Sequence, residues 1–180
     1  MTIFDLETLQ QDFFTLFGLS RQQGLDADQL ELLYRDIQTK VHPDKHAHLS
    51  GSEKRLAMQW STHVNEAFQT LKDPLRRARY LLHLAGHDVR LETNTAMPAE
   101  FLIAQMELRE AVAEAKDAGD AEMLDGLHRR LKKEVRAEFG LLQQALDGNS
   151  LDRAGELVRQ LMFQEKLLQE IDNALALVEG

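Results

Sequence analysis

Apolar side chains recur every three to four residues along nearly the whole 180-residue chain, and almost no segment alternates with the period of two that a half-buried strand needs. The chain is therefore expected to be all-α. Glycine, proline and capping residues divide it into helices. A short helix is expected over Asp12–Phe17, stopped by Gly18, and Asp26 caps a second over about 27–41 in which Leu30, Leu33, Tyr34, Ile37 and Val41 share a face. A third is expected from about Glu53 to Leu71, with Leu56, Trp60, Val64, Ala67, Phe68 and Leu71 at core spacing. Asp73-Pro74 opens a fourth, which carries Leu75, Ala78, Leu81 and Leu82 and ends near Gly86.

Residues 86–97 lack a helical period and are expected to be a linker, after which Pro98 restarts the pattern. Gly119 before Asp120, and Gly148-Asn149-Ser150, mark two further breaks. The middle segment carries Leu124, Leu127, Leu131, Val135, Leu142 and Leu146, and the last carries Leu157, Leu161, Leu168 and Leu175. Three long helices with short connections predict an antiparallel bundle. Two helical domains follow, over 1–85 and 98–180.

The helix that starts at Pro98 has two apolar sides. Phe101, Ala104, Leu108, Ala111, Val112 and Ala115 gather on the expected core face; Leu102, Ile103 and Met106 point away from it, beside Glu107, Glu110 and Glu114. Such a cluster suits either a protein-binding patch or packing beneath the N-terminal domain, and the period alone favours neither. Phe163 lies off the leucine stripe of the last helix and is a candidate anchor for a partner.

Charge and composition exclude several functions. The formal net charge of −9 is concentrated in residues 86–180, which carry −8 against −1 for residues 1–85. An acidic half repels phosphate backbones, so nucleic acid is not an expected partner. No apolar run approaches the roughly 20 residues that span a bilayer, and the acidic N-terminus lacks the basic start of a signal peptide. The absence of cysteine excludes disulfides, thiolate metal sites and a cysteine nucleophile. A bacterial-type cytosolic location is expected.

His42-Pro43-Asp44 closes the second helix. Proline clashes with the preceding turn and has no N–H, so an imidazole, a rigid turn and a carboxylate are presented together at a helix–loop junction. His42, His46 and His48 could be read as a metal site, but the proline turn keeps no common face for them, and neither cysteine nor an acidic cluster stands near. His42 and Asp44 could be read as an acid–base pair, but no nucleophile or oxyanion donor accompanies them. No metal, cofactor or catalytic residue is expected. A third reading is a turn with no partner.

The residues around this tripeptide resemble the J-domain of the DnaJ co-chaperone family. The likeness runs through Phe14-Thr15-Leu16-Phe17-Gly18-Leu19, Tyr34-Arg35, the tripeptide followed by Lys45, Val64-Asn65-Glu66-Ala67-Phe68-Gln69-Thr70-Leu71-Lys72-Asp73-Pro74 and Arg76-Arg77-Ala78-Arg79-Tyr80-Leu81. The resemblance implies docking on the ATPase domain of a 70-kDa heat-shock chaperone and stimulation of its hydrolysis. His42, Pro43 and Asp44 would be the essential tripeptide, with Arg35, Lys40 and Lys45 supplying electrostatic steering. Asp36 departs from the family at a position often basic, which suggests a dedicated chaperone partner.

The Gly/Phe-rich and cysteine-rich modules of general DnaJ proteins are missing. A J-domain, a linker and a three-helix bundle are instead similar to the HscB family of iron–sulfur co-chaperones, as is the run Phe101-Leu102-Ile103-Ala104-Gln105-Met106-Glu107-Leu108-Arg109-Glu110. That resemblance implies an L-shaped, monomeric co-chaperone that is not an enzyme. Its partners would be an HscA-type chaperone and an IscU-type scaffold carrying a [2Fe–2S] cluster. Leu102, Ile103, Met106, Glu107, Glu110, Glu114 and Phe163 would form the scaffold surface. Capture of a different client by the same bundle is the alternative.

Overall fold

The structure is a computed structural model that describes residues 10–41, 50–87 and 97–180. Among these the chain is helical, with no strand. Seven helices are described: α1 (Phe13–Leu16), α2 (Ala27–Val41), α3 (Gly51–Lys72), α4 (Pro74–Leu84), α5 (Ala99–Asp117), α6 (Ala121–Asp147) and α7 (Leu151–Glu179). They fall into two compact units, Met1–Leu81 and Leu82–Gly180.

Local chemistry sets the helix ends of the first unit. The Asp12 carboxylate accepts the Phe14 and Thr15 N–H groups at 3.0 and 3.2 Å and the Thr15 hydroxyl at 2.6 Å, and Gly18 leaves α1 at φ +65. Asp26 accepts the N–H groups of Asp28 and Gln29, and Asp73 those of Leu75 and Arg76. α3 begins at Gly51, two residues before the expected start, because the Ser50 N–H and hydroxyl both bond the Glu53 carboxylate and so pull Ser50 into the cap.

Helices α2 and α3 form a hairpin over a core of Phe14, Leu30, Trp60, Val64, Phe68 and Leu71, all buried. α1 is closed from far along the chain. Its Phe13 N–H donates to the Tyr80 hydroxyl at 3.0 Å, and the two rings stack at 4.5 Å. At the α3–α4 corner the buried Arg77 guanidinium donates to the Leu71 carbonyl oxygen, satisfying a helix-end acceptor. Burial lowers the pKa of Arg77, opposed by the charge of Asp73.

Partial burial pushes the Asp12 carboxyl up, but its bonds to the Thr15 hydroxyl and the Arg21 guanidinium outweigh this and hold it at about 2. A depressed carboxyl stabilises the fold above the unfolded-chain value, 3.8, and loses that contribution as pH falls through about 2. Asp12→Ala is therefore expected to cost about 1–2 kcal/mol at neutral pH. The deficit against wild type should shrink below about pH 4 and be mostly gone by about pH 2 in urea titrations of both proteins.

The second unit centres on the long antiparallel pair α6 and α7, with α5 laid against both. Leu124, Leu127, Leu131, Val135 and Leu142 of α6 are buried as expected, and Leu146 is half-buried. α5 differs from expectation at one step: Gln105 is buried and Ala104 is exposed. Contacts to α7, Arg109 with Glu170 and Phe101 with Phe163, roll the helix so that Gln105 turns inward. On α7, Leu157 and Leu161 are buried, but Leu168 and Leu175 sit at the edge of the core while Leu167, Ile171 and Ala174 occupy its centre. The N-terminal half of α7 buries a wider arc, including Gly155, where an added Cβ would meet the His87 ring at 3.1 Å. The buried face shifts once that neighbour is passed.

Candidate partner-binding surfaces

The first surface lies along α2. Tyr34 stacks on Phe68 at 4.0 Å and its hydroxyl donates to the Asn65 side-chain oxygen at 2.8 Å. The Gln38 amide donates to the same oxygen and to the Tyr34 hydroxyl. This cluster ties the second half of α2 to α3 one turn before position 42. The sequence-proposed docking residues His42, Pro43, Asp44 and Lys45 lie outside the described residues, as do His46 and His48.

Arg35 and Lys40 are both exposed, and each faces a carboxylate one turn earlier. Arg35 pairs with Glu31 at 2.6 Å and Lys40 with Asp36 at 2.6 Å. The cations are thus locally balanced, and the field they offer an acidic partner is weaker than their number suggests. Leu32, 67% exposed, shares this outward face; residue counting along the helix passed over it because a lone surface leucine carries no periodic signal.

The second surface belongs to α5. Leu102, Ile103 and Met106 are 40%, 56% and 62% exposed, and Glu107, Glu110 and Glu114 are exposed beside them. A cluster of three large apolar side chains facing water is unfavourable in an isolated protein and typical of a docking site. The adjoining carboxylates give it a negative rim, which suits a partner with basic residues around an apolar centre. Phe163 is half-buried at the α5–α7 seam, its ring edge-on to Phe101 at 6.5 Å. It joins the same side of the bundle instead of standing apart.

Among the described residues no group of three or more His, Asp or Glu side chains is placed to hold a metal ion. No described helix is long and apolar enough to cross a membrane.

Comparison with known proteins agrees with both halves. The DnaJ domain family model matches residues 12–80, and the model described as the HSCB C-terminal oligomerisation domain matches residues 97–172. The chain is 53% identical over 172 residues to the "Co-chaperone protein HscB homolog" of Aromatoleum aromaticum, covering 95% of this chain and 97% of that one. Among solved structures, "Chaperone HscB from Vibrio cholerae" superposes with a TM-score of 0.81 at 34% identity, covering 91% of this chain and 96% of that chain. The human co-chaperone protein HscB superposes with a TM-score of 0.86 at 28% identity, covering 91% and 82% respectively.

Proposed function

We propose that this chain, which belongs to the HscB family of J-domain co-chaperones, delivers an IscU-type iron–sulfur scaffold to an HscA-type chaperone and stimulates that chaperone's ATPase. The observation that carries the reading is the exposed apolar face of α5 with its carboxylate rim. A protein with this face and a J-domain has a place for a client as well as a place for the chaperone.

In this reading residues 1–85 engage the chaperone through His42, Pro43 and Asp44, aided by Arg35, Lys40 and Lys45. Residues 86–97 link them to residues 98–180, which hold the scaffold through Leu102, Ile103, Met106, Glu107, Glu110, Glu114 and Phe163. Tethering both partners to one chain makes their encounter effectively intramolecular and raises the local concentration of scaffold at the chaperone. The co-chaperone acts as a single copy in a bacterial-type cytosol and performs no reaction itself. Hydrolysis takes place in the chaperone. The [2Fe–2S] cluster is cargo on the scaffold, since this chain has no cysteine to ligate it.

The test is steady-state ATPase of the HscA-type chaperone with this protein and the scaffold, separately and together. The expected result is synergy, a combined rate several-fold above the product of the separate stimulations. Simple additivity would refute delivery. Stimulation without scaffold binding in a pull-down would point to a different client.

A further inference from the structure

The α5–α7 side of the bundle carries a second apolar point. Arg109 Nε lies 3.2 Å from Glu170 Oε2 and Phe101 meets Phe163 at 6.5 Å, so the two helices run parallel in one fixed register. In that register Leu177 falls beside the last turn of α5. Phe163, Glu170 and Leu177 recur at intervals of seven residues, two helical turns, and therefore line one stripe of α7 turned toward α5. Phe101 and Arg109 are the α5 residues that meet this stripe, and the same register sets Leu177 level with buried Ala115 and exposed Lys116. At 69%, Leu177 is the most exposed large hydrophobic side chain among the described residues.

We infer that Leu177 is a second anchor for the scaffold, separated from the Leu102–Ile103–Met106–Phe163 cluster by the Arg109–Glu170 ion pair. The docking face is then a strip about 20 Å long, from Phe163 to Leu177 at 1.5 Å per residue, apolar at both ends and charged in the middle. This rests on the scaffold-binding reading above. Charge selects the occupant: Glu107, Glu110 and Glu114 run along the outer edge of α5 between the two anchors. A second copy laid strip on strip would oppose carboxylates to carboxylates, whereas a scaffold with a basic rim meets them favourably.

The experiment titrates purified IscU-type scaffold by calorimetry into wild type, Leu177→Ala, Leu177→Asp and an Ile103→Ala/Met106→Ala variant. Leu177→Ala is expected to weaken binding about tenfold and Leu177→Asp further. A fluorophore on Leu177→Cys, the sole cysteine in that variant, should shift to the blue when scaffold is added, while the same label on Lys133→Cys of α6 should not. Wild-type affinity in both Leu177 variants together with an unresponsive label overturns the second anchor and leaves the first intact. Failure of wild type to bind scaffold overturns the function proposed above, and this inference with it.

Discussion

Glutamine in place of His42 is expected to abolish stimulation of the proposed chaperone's ATPase, while scaffold binding and the unfolding temperature should stay at wild-type values. Glutamine is close to histidine in size and can still hydrogen-bond, so the substitution removes the ring and its proton chemistry but little bulk. The helix leading to the site is fixed independently, by the Tyr34–Phe68 stack and the Tyr34, Gln38 and Asn65 hydrogen bonds. Damage at position 42 should therefore stay local. Arg35 and Lys40 cannot compensate, because Glu31 and Asp36 already balance them at 2.6 Å. The loss should accordingly persist at low salt, where an unbalanced basic helix would recover some encounter rate. Single-turnover hydrolysis with and without the variant measures it, and a variant that retains more than about a tenth of the stimulation would remove the tripeptide from its assigned role.

Alanine at Ile103, Met106 and Phe163 together should weaken scaffold binding by about two to three orders of magnitude. Truncating one well-placed apolar anchor costs roughly 1–1.5 kcal/mol, and about 1.4 kcal/mol corresponds to a factor of ten. Ile103 and Met106 are surface side chains, so their removal should not disturb the bundle. Phe163 packs edge-on against Phe101, so part of its cost is stability, which a thermal melt separates from binding. The triple variant should still stimulate the chaperone alone, losing only the synergy with scaffold. Unchanged scaffold affinity would place the client elsewhere.

Much of this molecule is legible in its sequence, and the illegible parts have a common cause. Caps such as Asp12, Asp26 and Asp73 are local chemistry and mark helix starts directly; Ser50 was the subtler case, because its bonds to Glu53 extend the helix beyond the first apolar residue. The burial of Gln105 in place of Ala104 depends on how far α5 rolls against α7, which periodicity within one helix does not contain. Leu168 and Leu175 continue the expected leucine stripe, yet Leu167, Ile171 and Ala174 occupy the centre of the α7 core. Of the proposed binding surfaces, the α5 cluster is readable in the sequence as a second apolar side. Leu177 is not, since its meaning arises only when the register between two helices sets it in line with Phe163. The pairing of Arg35 and Lys40 with carboxylates was readable from the four-residue spacing, but the expectation of electrostatic steering passed over it.

The hydrogen bond from Phe13 to Tyr80 spans 67 residues of sequence. During synthesis on the ribosome, the Phe13 ring can meet His63 edge-on at 5.4 Å, but the Phe13 N–H has no permanent partner until Tyr80 clears the exit tunnel. The first unit is therefore completed late within its own span, but before most of α5, α6 and α7 has emerged. A nascent chain halted after the first half should already give protease-resistant fragments, and one halted short of Tyr80 should not.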